Sequence, residues 1–214
     1  VRFPSDGDVR NAIYPAWDGK TPRYAVMKSF FEFLNKNLRE YKPDIILSAD
    51  LFGYVAAQHE ELSIGQRLED IGENFDYISF MVYPSHYYNG LILPPDPGRK
   101  LSAVDFSLAD ARRNPGTVVE RSLLIARDFL DLKFASTTVS TTTPLQNSLP
   151  RNNVRFRPWL EDFYHEEDKA AGRPYGAEKV RQQIDGAQRV EQHGWLLWSA
   201  ANVYTEGALK KDEK

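Results

Sequence analysis

One acidic residue, Asp50, ends the apolar run "IILSAD". Alternation along that run sets Ile46, Ser48 and Asp50 on one face and Ile45, Leu47 and Ala49 on the other. A carboxylate closing a buried strand has no partner along the strand, so it is placed either for acid–base chemistry or to cap the backbone that follows. Further polar and aromatic residues close other apolar runs: Tyr83, Ser85 and His86 in "MVYPSHYY", Trp159, Glu161 and Asp162 in "RPWLEDF", Trp198 and Asn202 in "GWLLWSAANVY", with Tyr204 just beyond. Carboxyl and imidazole groups move protons, and broad aromatic rings cover flat apolar C–H faces in clefts. The competing reading of each is ordinary: a capping Asp, a loop His with satisfied ring nitrogens, a core Trp. Asp6, in the turn "PSDG", is explained by an Asx-type hydrogen bond, and Trp195 by core packing.

Elements must bring these residues together. Arg23 to Tyr41 carries Val26, Met27, Phe30, Phe33, Leu34 and Leu38 at helical spacing, and Pro43 ends it. Ile64 to Phe75, Thr117 to Lys133 and about Ala177 to Gln192 carry further helical patterns. Between them stand apolar runs without polar alternation, the mark of strands covered on both faces. The pattern predicts an α/β protein: the C-terminal part of a (β/α)8 TIM barrel, with parallel strands near 1–4, 44–50, 76–83, 154–160 and 194–200. "NGLILPPDPGRKLSAVDF" reads as a large loop after the third of these strands, and "ASTTVSTTTPLQNSLPRNN" as a Ser/Thr-rich loop before the fourth. No strand is followed by a dinucleotide-type glycine turn, which argues against a doubly wound nucleotide fold. No GxSxG elbow is present either.

Composition narrows the classes. With 214 residues and a net charge of −3, acidic and basic residues interleave, so neither a nucleic-acid footprint nor a polybasic membrane patch is expected. No apolar run reaches the length of a membrane span. The chain has no cysteine and therefore no thiolate metal site. His59, His86, His165 and His193 show no HxH or HxxxH spacing, so no metal and no cofactor are expected.

Five motifs in order, "VRFPSDG", "SADLFG", "DYISFMVYPSHY", "RPWLEDF" and "GWLLWSAANVY", resemble a bacterial family of glycoside hydrolase domains of TIM-barrel type, carried as a domain of unknown function. The resemblance spans nearly the whole chain as a single domain. It implies hydrolysis of a polysaccharide or oligosaccharide by two carboxyl groups flanking the scissile bond, with Asp50 as one of them. In the family pattern an Asp-Tyr pair precedes the first motif. The resemblance therefore puts the second carboxylate just before Val1 and predicts that the N-terminal half of the barrel, the remaining partner of this segment, is missing. Arg2, Tyr83, His86, Arg157, Trp159, Asp162, Trp198, Asn202 and Tyr204 become candidate substrate-binding residues, with Arg2 and Arg157 placed to pair with the catalytic carboxylates. A bacterial envelope or exterior location follows by the same resemblance. Three positions depart from the pattern: Phe80 for a usual proline, Glu161 for a usual glutamine, and Ser199 for a common asparagine. The alternative is a non-catalytic carbohydrate-binding or cell-envelope protein that keeps the scaffold without the chemistry.

Overall fold

The computed structural model describes residues 2–5, 9, 11–15, 17–58, 63–138, 154–163, 165–170, 172 and 175–209. Asp6, His59 and the Ser/Thr-rich stretch from 139 to 153 lie outside the described residues.

The chain is α/β, with a parallel sheet. α1 (Arg23–Tyr41) leads to β1 (Ser48–Phe52), and α2 (Gly53–Gln58) and α3 (Leu68–Gly72) lead to β2 (Tyr77–Met81). A small antiparallel pair follows, β3 (Leu91–Leu93) with β4 (Val104–Phe106), then α4 (Leu108–Arg113) and the long α5 (Pro115–Thr138). β5 (Arg155–Phe156), β6 (Trp159–Glu161), α6 (Glu166–Ala170), α7 (Ala177–Val190) and β7 (Leu196–Trp198) complete it. β1 pairs with β2, β2 with both β5 and β6, and β6 with β7, all parallel. β5 and β6 are one strand interrupted at Pro158, which has no N–H to give the ladder; its carbonyl still accepts from the Leu196 N–H at 2.9 Å.

The register explains the two faces. Leu51, Ile78, Phe80, Phe156 and Leu160 are buried against Val119, Leu123, Ala126 and Leu130 of α5 and Val180, Ile184 and Ala187 of α7. Each such Val, Leu, Ile or Phe side chain contributes about 1.5–3 kcal/mol on leaving water. The other face carries Ser48, Asp50, Tyr77 and Arg155, of which Ser48, Asp50 and Arg155 are exposed among the described residues.

Four expected features come out differently. Residues 2–5 form no strand, because the Phe3 N–H is taken by the Ile64 carbonyl at 2.8 Å and its ring sits edge-on against Tyr14 and Trp17. β1 starts at Ser48 rather than 44, because Asp76 turns the approach: its carboxylate accepts from the Leu47 N–H at 2.8 Å, and its own N–H donates to the Leu47 carbonyl at 2.9 Å. The helical pattern from Ile64 shrinks to α3. Gly65 has a φ of +80° and a Cβ there would stand 2.5 Å from Met27 Cγ, so this backbone turns where a helix would run on. The Pro/Gly-punctuated "loop" is the β3–β4 pair. Leu91, Leu93 and Val104 close a second small core with Tyr87, Ala111 and Val118. Ser107 starts α4 beyond it with a capping box on Asp110.

Candidate active site

Asp50 is the third of the five residues of β1, two before its end rather than at it, because the ladder with β2 continues through Leu51 and Phe52. It is exposed, on the face opposite buried Leu51, in register with Ser79. Trp159 opens β6 in register with Met81, and its indole leans across β2 so that Nε1–H donates to Asp50 Oδ1 at 3.0 Å. Trp198, the last residue of β7, meets the Trp159 ring edge-to-face, centroids 6.2 Å apart at 85°. Three parallel strands thus deliver a carboxylate and two indoles to one rim.

These residues line a hollow of about 780 Å³ together with Phe52, Tyr83, His86 and Tyr88. That size suits a small-molecule or oligosaccharide unit. Asp50 is the one carboxylate among the described residues lining it. Tyr83 is buried and meets the His86 ring at 89°. Burial, then the charges of Asp50 and Glu161, push its phenol well above its ordinary value, so it remains a neutral hydrogen-bond donor. His86 lies between Tyr83 and Tyr88, nearly parallel to the latter at 5.8 Å. Burial lowers its pKa, with the His165 charge adding and Glu161 opposing, so its ring is neutral at pH 7 and offers one donor and one acceptor.

The other expected site residues sit elsewhere. Arg2 lies over the Phe52 ring at 4.9 Å and donates to Ser5 Oγ, at the margin of the hollow. Arg157 follows β5 with its N–H on the Ile78 carbonyl, in the row of Asp50 and Ser79; its guanidinium lies over Tyr77 at 5.4 Å and, among the described residues, meets no carboxylate. Asp162 accepts the Thr205 N–H at 2.6 Å and the Thr205 hydroxyl at 2.7 Å, so both its oxygens anchor the turn after β7 and neither faces the hollow. Asn202 takes a positive φ of 54° in that turn, which carries it and Tyr204 away from the lining. Asp162→Ala should therefore act on the fold. It leaves the Thr205 donors unpaired at about 1–3 kcal/mol, and a lower melting temperature with faster proteolysis around residue 205 is the expected result.

Glu161 plays a part that its position alone did not assign. It is fully buried, and its Oε2 accepts from both the Ser85 N–H at 2.9 Å and the Ser85 hydroxyl at 2.7 Å. That holds the 3-10 turn Pro84–His86, and so His86 itself, against β6. Gln183 of α7 clamps the Glu161 backbone on both sides, accepting from its N–H at 3.0 Å and donating to its carbonyl at 2.8 Å. Among the described residues no three His, Asp or Glu side chains gather to hold a metal ion, and no helix is long and apolar enough to cross a membrane.

No curated protein matches this chain. Among solved structures, the PgaB (BpsB) glycoside hydrolase domain from Bordetella bronchiseptica is similar, at 13% identity and a TM-score of 0.46, over 82% of this chain and 37% of that one. The chain thus spans little more than a third of that structure's length. A family model described as "Putative glycosyl hydrolase domain" matches residues 1–204, and the chain belongs to that family.

Proposed function

We propose that this domain belongs to a glycoside hydrolase that cleaves a polysaccharide or oligosaccharide by two-carboxylate chemistry, with Asp50 as the proton-transferring or nucleophilic group. The observation that carries it is the Trp159 Nε1–H bond to Asp50 Oδ1 at 3.0 Å, inside a hollow with Tyr83, His86 and Trp198. The indole N–H fixes the carboxylate and leaves its second oxygen for substrate, while the two indoles form walls for sugar faces. Family membership supports the same reading.

This reading requires a second carboxyl group from the whole protein, since Asp50 is the one carboxylate among the described residues lining the hollow. The same reading makes the open sheet one side of a (β/α)8 barrel. The polar face of Ser48, Asp50, Ser79 and Arg157 is then its interior, and further strands complete it beyond β1 and β7. The alternative, a carbohydrate-binding protein without turnover, is favoured by one fact: Asp50 is the one carboxylate among the described residues of the hollow. Turnover of a reducing-end-labelled glycan panel by the full-length protein and its Asp50→Asn variant decides between them. Loss of turnover in the variant supports hydrolysis through Asp50, and unchanged turnover refutes it. Binding with no turnover in either protein supports the alternative.

A further inference from the structure

A second cleft of about 690 Å³ adjoins the first, and His86, Tyr88 and Trp198 line both. Beyond that shared wall it is lined by Ser85, Arg112, Phe163 and His165. At its base, His165 Nε2 stands 3.4 Å from Glu161 Oε1. Both atoms are buried and, among the described residues, neither makes a hydrogen bond of ordinary geometry; the Tyr175 phenol also lies against the Glu161 carboxylate and is the other group that can donate to it. Leaving either unmatched is costly away from water, and each is the complement of the other. A contact of this length tightens readily when a cleft fills.

The surroundings hold both groups in place. Ser85 takes the other Glu161 oxygen, and Gln183 fixes the Glu161 backbone. The His165 ring packs edge-on against Tyr175 at 5.1 Å and near Phe163 at 6.1 Å. The Tyr175 hydroxyl receives the Gln183 side-chain N–H at 2.9 Å, and burial together with the Glu161 charge keeps that phenol protonated. Arg112, the cation beside the cleft, is matched by Asp168 at 2.7 Å. The cleft therefore holds no unmatched cation among the described residues, and it sets the Phe163 and Trp198 rings beside the His86 and His165 imidazoles, which suits the mixed C–H faces and hydroxyls of a sugar better than an ion.

We propose that Glu161 and His165 form a carboxylate–imidazole pair that fits this second cleft to bind a further sugar unit of the glycan held at Asp50, through the His165 ring. The carboxylate accepts the Nε2 proton and so fixes the tautomer and orientation of the ring, as buried carboxylates do for imidazoles in other sites. The ligand assignment rests on the glycoside hydrolase reading; the pair itself does not.

Glu161→Gln removes the charge at nearly constant shape. In the variant the amide oxygen takes both Ser85 donors, which turns the amide NH2 toward His165. Long-range 1H–15N spectra of the 15N-labelled protein in mildly alkaline buffer report the outcome. The wild type is expected to hold His165 as the Nε2–H tautomer and the variant as Nδ1–H; one tautomer in both proteins overturns the pair. Adding the glycan panel to the wild type then tests the cleft. Glycans that shift the Trp159 and Trp198 indole signals should also shift the His165 ring signals. Indole shifts with His165 unmoved overturn the second subsite. A panel that moves neither refutes the carbohydrate reading and the ligand assignment with it, while the tautomer result still decides the pair.

Discussion

Asp50→Asn is expected to reduce glycan hydrolysis by roughly 10²–10⁴-fold, the usual contribution of one proton-transferring group. The change keeps size and a carbonyl oxygen, so the Trp159 indole, which donates to Asp50 Oδ1 at 3.0 Å, retains an acceptor. Asp50 is exposed and lies on the face away from the helix-packed core, so folding should be unaffected. The predicted signature is a fall in kcat with KM and melting temperature nearly unchanged, since only the reacting complex needs the missing charge or proton. Trp159→Phe serves as the contrast. It removes the N–H and part of the wall, so it should raise KM as well as lower kcat. If Asp50→Asn instead raises KM alone, Asp50 binds sugar and does not transfer a proton.

The convergence at that hollow is legible in the sequence because it follows from period two. In "IILSAD", alternation separates Asp50 from Leu47 and Ala49, and the register with β2 keeps that face in line with Ser79. Continuous apolar runs likewise locate β1, β2, β6 and β7, but they overstate the cover: α5 and α7 pack on one face, while Ser48, Asp50 and Arg155 on the other are exposed. Local pattern fails where one distant hydrogen bond decides. Nothing near Phe3 shows that its N–H goes to Ile64, or near Asp162 that both its oxygens go to Thr205. Proline and glycine punctuation hid β3 and β4, whose hydrophobic Leu91, Leu93 and Val104 close a satellite core rather than join the main sheet. The Glu161–His165 proximity was readable as an i, i+4 spacing of acid and imidazole. Histidine-to-histidine spacings pass over it, and the burial of both atoms, which no local pattern predicts, is what singles it out.

Gly186→Ala should be among the most damaging single-methyl changes to the fold. α5 and α7 cross backbone to backbone there: a Cβ on Gly186 would stand 2.5 Å from the Gly116 carbonyl oxygen, a distance side chains do not occupy. The obstacle is main chain, not a movable side chain, so the helices must separate. Overpacking of this kind costs typically 1–3 kcal/mol. The gain in helix propensity from glycine to alanine returns up to about 1 kcal/mol, which leaves a net loss of about 2 kcal/mol at the upper end. For a domain of this size that is a fall in melting temperature of roughly 4–8 °C. The consequence reaches the site, because Gln183, one turn earlier on α7, holds both backbone groups of Glu161. Separation of α7 from α5 should therefore loosen the Ser85–His86 turn and weaken glycan binding along with stability. Gly176→Ala is the control: nothing lies within 4 Å of a Cβ at that position, just before α7, and its effect should stay within about 0.5 kcal/mol. Equal melting temperatures for Gly186→Ala and Gly176→Ala would show that the helix crossing has slack, and that α7 does not hold Glu161 in place through close contact with α5.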